Sequence, residues 1–168
     1  DIQGVVLYNV SKEMDFSANL GHGYHRNMGL YRVFKKALSL HQGEVAFDDN
    51  SFYEPSLNMA SSFIATPLYA ENKLSGILAI QIPMEPINQI MTFHGEYEKV
   101  GLGKTGKVYL VGKDLKMRND SRFLGEMENP LIKTAKTTIG IQEVSTESVK
   151  KALYGENGCH IIKDYRNI

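Results

Sequence analysis

Apolar and polar positions change their period several times along this chain, and each change predicts an element. Val5 to Val10 follows Gly4, is rich in β-branched and aromatic residues, and predicts a strand. Over Asn27 to Gln42 the period becomes helical. Leu30, Val33, Phe34, Ala37 and Leu38 share one face, Arg32, Lys35 and Lys36 point outward, and Gly43 ends the helix. Glu44 to Asp48 predicts a short strand, and Asp48 to Asn58 an irregular polar segment. Ala60 to Tyr69 and Leu74 to Ile82 follow as two strands of a hairpin with a loop of about four residues. Within the second strand, Ile77 and Ala79, with Gln81 a further candidate, lie on one face and Leu78, Ile80 and Ile82 on the other.

Pro83 closes that sheet, and Met84 to His94 predicts a helix with Met84, Ile87, Ile90 and Met91 on its apolar side. The glycines between Gly101 and Gly106 predict a boundary, with contacts thinning near Val100 to Gly106. The pattern then restarts. Val108 to Val111 predicts a strand, Lys116 to Asn119 its return, Val149, Ala152 and Leu153 a helix capped by Ser145, and His160 to Tyr165 a last strand. The order predicts an α+β fold with an antiparallel sheet flanked by helices. Residues 1–100 form a first module, and 101–168 the start of a second, truncated one.

Composition narrows the function. The 168 residues are 42% hydrophobic, enough for a real core. Nineteen basic residues balance nineteen acidic ones, so no broad field favours nucleic acid or an anionic membrane. The one cysteine, Cys159, excludes a disulfide within the chain. No apolar run approaches the about 20 residues that span a bilayer. If the chain belongs to a membrane receptor, the membrane is reached only through segments outside it.

Candidate catalytic chemistry is sparse. Gly101-Leu-Gly-Lys-Thr-Gly-Lys107 has phosphate-loop spacing, but Val108 replaces the hydroxyl residue and a strand is predicted where a helix should begin. His22 and His25 are the close histidine pair, short of the ligands zinc needs. Asp48 and Asp49 are adjacent, so a strand would send them to opposite faces. There is no nucleophile elbow. These patterns predict a non-enzyme without metal or other cofactor. Ligand-binding chemistry concentrates in the irregular segment and its neighbouring strand, where aromatic, acidic and hydroxyl groups gather. The candidate site is Asp49, Tyr53, Ser56 and Phe63, with Phe47 and Tyr24 as outer members. Asp49 would suit a ligand carrying an amine or several hydroxyls. The competing structural interpretation makes Asp49 a turn cap and Tyr53 core filling.

Several stretches then carry a resemblance. They are Gly4-Val-Val-Leu-Tyr-Asn-Val, Asp15-Phe with Asn19-Leu20, Phe63-Ile-Ala-Thr-Pro-Leu, and Gly76-Ile-Leu-Ala-Ile-Gln81. Gly101 to Asp114, Met117-Arg-Asn-Asp-Ser-Arg-Phe123 and Lys163-Asp-Tyr-Arg166 continue it. The chain resembles the double Cache, or tandem PAS-like, sensor region of bacterial methyl-accepting chemotaxis proteins and related membrane histidine kinases and cyclases. The resemblance implies PAS-like modules outside the cytoplasmic membrane, in the bacterial periplasm, and a homodimeric receptor. It implies a small-molecule ligand and a cytoplasmic output domain. It also implies a first module lacking its long opening helix and a second lacking its closing strands. The Trp-containing amino-acid motif of some Cache receptors cannot be carried over, because this chain has no Trp. The expected function is extracytoplasmic small-molecule sensing, with the Met84 to His94 helix as transmitter. The alternatives are a dimerisation or partner-docking module, a kinase or cyclase sensor, and a cytoplasmic PAS-like domain within an enzyme.

Overall fold

The computed structural model describes residues 1–166 and divides into two compact units, Asp1–Met84 and Glu85 onward. The division lies ahead of the glycine-rich boundary expected at Val100 to Gly106. The reason lies in the connecting segment. Asn88 bonds Asp120, and the Arg122 guanidinium lies 4.3 Å from the Tyr97 ring centre, so residues 85–100 belong to the second unit.

The first unit is a three-stranded antiparallel sheet, β1 (Ala46–Tyr53), β2 (Met59–Ala70) and β3 (Lys73–Pro83), in the order β1-β2-β3. With its covering helix it makes an α+β arrangement. The β2–β3 hairpin pairs as expected, from Ser61 with Pro83 to Ala70 with Lys73. Pairing reaches further than the sequence suggests, so the turn shrinks to Glu71 and Asn72. Both have positive φ, 49° and 63°, the geometry of a tight two-residue hairpin turn. β1 also outruns its expectation. It continues through Asp48–Tyr53, where polar composition predicts an irregular segment, because β2 supplies a ladder and a bulge between Asp48 and Ser51 absorbs the misfit.

Helix α1 (Gly29–Ala37) packs on this sheet through Leu30, Val33, Phe34 and Ala37. It is shorter at both ends than the apolar spacing predicts. Leu38 to Leu40 continue only as turns, with the Leu40 amide donating to the Ala37 carbonyl at 3.2 Å. Asp48 lies beneath α1, 4% exposed, with Arg32 at 2.7 Å and Lys36 at 2.9 Å. The helix is thus bound to the sheet by packing and by a carboxylate held between two cations. Val5 to Val10 is not a full strand. Val5 makes one isolated bridge to Asn19, and the Val6 amide reaches the Ala18 carbonyl at 2.9 Å.

The second unit contains α2 (Met84–Met91, entering from the first unit), α3 (Pro130–Ala135) and α4 (Glu147–Leu153). Thr146, not Ser145, caps α4, its hydroxyl accepting from the Val149 amide at 3.4 Å. Val144 and Val149 pack in one cluster with Met117. Asn129 caps α3, a helix absent from the sequence prediction. The expected strands are corrected here. Val108–Val111 and Lys116–Asn119 lie side by side but share one isolated bridge, Val111 with Met117. The Leu110 amide is taken by the Asn119 side chain at 2.7 Å instead of a backbone partner, which stops the ladder. His160 to Tyr165 makes no strand.

Candidate ligand-binding site

A cavity of about 880 Å³ opens in the first unit between the sheet and the N-terminal segment, at the upper end of small-ligand pockets. Tyr53 and Phe63 supply aromatic walls. Each is 1% exposed, and their rings meet edge to face at 4.9 Å. Leu20, Leu30, Phe34 and Ile77 extend the apolar lining. The neighbouring strands explain this placement. Asp48 pairs with Phe63 and Phe63 with Gln81, so side chains of one row project to the same side of the sheet.

The polar groups form two linked sets. Tyr53 donates its hydroxyl to Asp15 Oδ2 at 2.6 Å, and Asn9 donates to Asp15 Oδ1 at 2.6 Å. Ser56 donates to Glu13 Oε2 at 2.8 Å and accepts from Gln81 Nε2 at 2.8 Å. Gln81 also reaches Ser61 at 2.9 Å. Of the residues expected from sequence, Tyr53, Ser56 and Phe63 line the cavity. Asp49, Phe47 and Tyr24 do not line it. Asp49 is exposed at the β1 bulge and accepts the Asn50 amide at 2.7 Å. Phe47 pairs with Ile64 and hence Ile80 on the opposite face, where Phe47 is 54% exposed. Tyr24 stands in the short helical turn Gly23–Asn27 and stacks on His25 at 4.1 Å.

Glu13, Asp15, Asn9 and Gln81 were not expected as site residues. Gln81 carried a signal, since a polar residue on the inward row of an apolar strand needs a polar neighbour. Asp15 and Glu13 carried none, because a polar turn is their ordinary setting.

Burial raises the Tyr53 hydroxyl far above its ordinary value, and the Asp15 carboxylate it donates to raises it further. The hydroxyl therefore stays a donor throughout the neutral range. A group whose pKa is raised by folding binds its proton more tightly in the folded chain, so stability is intact below the ordinary tyrosine value of 10.0 and falls as pH rises past it. Urea midpoints measured against pH should show this alkaline decline in the first unit, and Tyr53→Phe should flatten it. An unchanged decline in that variant would assign it to other groups.

The glycine-rich loop is turn structure, and extended chain, not a helix, follows it. Its Lys107 pairs with Asp164 and lies over the rings of Tyr165 and Phe123, so its charge is engaged structurally. Among the described residues no three His, Cys, Asp or Glu side chains gather as a metal cluster, and no helix is long and apolar enough to cross a membrane. No family model, curated protein or solved structure matches the chain.

Proposed function

We propose that this chain is the extracytoplasmic, PAS-like sensing part of a bacterial membrane receptor and that it binds a small molecule in the first unit. The observation that carries the proposal is the cavity itself: about 880 Å³, walled by Tyr53 and Phe63, with Ser56, Glu13, Asp15 and Gln81 as polar groups. A cavity that combines apolar walls with a few oriented polar groups can bury a ligand and fix its orientation. The receptor setting comes from the resemblance to double Cache regions. Ligand would bridge the sheet and the N-terminal segment, which share few backbone bonds, and so favour one arrangement of that segment over others.

Native mass spectrometry of the purified chain tests the proposal. A small molecule that co-purifies, is released on unfolding and raises the thermal midpoint when added back is the expected result. A chain at its bare mass whose midpoint no member of a metabolite library moves would overturn it.

A further inference from the structure

We propose that the cavity selects an organic cation, an ammonium group carried on an apolar body, with Asp15 and Glu13 receiving the charge. This rests on the small-molecule reading above and names its ligand class. Asp15 is 2% exposed, lines the cavity and, among the described residues, its carboxylate receives hydrogen bonds only from the neutral donors Asn9 and Tyr53. Glu13, partly buried on the same lining, receives one from the Ser56 hydroxyl. Among the described residues neither makes an ion pair.

The contrast with Asp48 is informative. That carboxylate is equally buried in the same unit, and Arg32 and Lys36 both neutralise it. A buried carboxylate without a counter-charge is costly, and neutral donors offset only part of the cost. Each carboxylate oxygen can accept more than one hydrogen bond, so both groups retain capacity for an incoming donor.

The remaining lining favours the same class. Among the described residues no Lys, Arg or His side chain lines the cavity, so no basic side chain is placed to receive a carboxylate or phosphate on the ligand. Asp1 also lines it, but its α-ammonium donates to the Val5 carbonyl at 2.8 Å. Val6, Tyr8 and Ile77, less buried members of the same lining, offer apolar surface for the hydrocarbon of such a ligand. A ligand with an ammonium and no anionic group satisfies all of these demands at once. A zwitterionic amino acid does not.

The test uses probes of matched shape and different charge: phenethylamine, phenethyl alcohol and phenylacetate, with hexylamine, hexanol and hexanoate as an aliphatic set. Calorimetry on the whole chain should show each amine binding about tenfold or more tighter than its alcohol, with the acids weakest. Asp15→Asn should bring the amine down to the affinity of the alcohol while the alcohol keeps its own. Because Asp15 also holds Tyr53, Glu13→Gln is the second variant. It stands on the less buried carboxylate and should weaken the amine in the same direction without lowering the thermal midpoint. Equal binding of amine and alcohol, or preference for the acid, would overturn the cation class and leave small-molecule sensing standing. Amine affinity unchanged in both variants would also overturn it. If no probe binds the unmodified chain, the cation class falls, while the cavity's role as a binding site stands or falls with the metabolite-library screen.

Discussion

Phe63→Ala is expected to remove about 3–5 kcal/mol of stability, the usual range for deleting a fully buried ring. A domain has only about 5–15 kcal/mol in total, so the first unit should unfold measurably at moderate temperature. The ring sits where three parts meet. It stacks edge to face on Tyr53 at 4.9 Å, it stands beside Asp48 in the β1–β2 register, and it presses on the start of α1. The contact with α1 is close enough to require a glycine. A Cβ on Gly29 would lie 2.8 Å from Phe63 Cδ2 and 3.0 Å from Cε2, and the ring they belong to is 1% exposed, packed on all sides.

Two further variants make the argument specific. Gly29→Ala should destabilise by about 1–3 kcal/mol through overpacking, despite alanine's better helix propensity. Combined with Phe63→Leu, which vacates part of the ring's volume, the same change should cost less than the sum, with a coupling of about 0.5–3 kcal/mol. The chain folds as two compact units, so hydrogen exchange on peptides from β2 and β3 reads the first unit directly. Additive costs would show that the ring and the helix start do not press on each other.

The hairpin and α1 were legible because both have strong periodicity over long spans. Alternation in Leu74–Ile82 and the i, i+3, i+4 spacing of Leu30, Val33 and Phe34 leave few alternatives. The site was legible where residue type and burial agree. Tyr53 and Phe63 are large, apolar-faced and on strands, and the fold encloses both. Asp49 lies off the cavity lining, because adjacent carboxylates on a strand cannot be told apart until the register is known. The bulge turns Asp49 outward, and Asp48 goes beneath α1 to meet Arg32 and Lys36, two cations that the helical spacing alone had pointed outward. Glu13 and Asp15 were invisible for a different reason. They reach the cavity through bonds to Ser56 and Tyr53, partners about forty residues away in sequence, and no local pattern encodes such a pairing. The second unit was least legible. Its backbone partners are split among short bridges and side chains, such as the Asn119 amide that serves Leu110, so strand-like composition does not become a sheet.

Asp120→Ala should be the most damaging single change in the second unit, with a cost of about 3–5 kcal/mol. Its Oδ1 accepts from the Thr137 hydroxyl and the Thr138 amide, each at 2.7 Å, and from the Thr138 hydroxyl at 3.3 Å. Its Oδ2 accepts from Asn88 at 3.0 Å, and its own amide donates to Asn88 Oδ1 at 2.6 Å. One carboxylate thus joins α2, the Asn119–Ser121 segment and the chain after α3. Hydrogen bonds to a charged acceptor contribute about 1.5–3 kcal/mol each, and a buried donor left without an acceptor costs about 1–3 kcal/mol. Thr138 is fully buried, so its amide would find no water after the substitution. Its hydroxyl would fare better, because the Asn119 carbonyl already lies 3.4 Å away. The Ser121 amide, which donates to that hydroxyl at 2.9 Å, would lose its alignment in turn. Asp120→Asn should cost less, since one amide oxygen can still serve the two threonines while the bond from Asn88 is lost. Hydrogen exchange over residues 108–119 and 137–144 should rise sharply in the alanine variant and partly in the asparagine variant, while β2 and β3 keep their protection. A cost below about 1 kcal/mol, with exchange unchanged at Thr138, would show that these segments hold together by the packing of Met117, Val144 and Val149 alone.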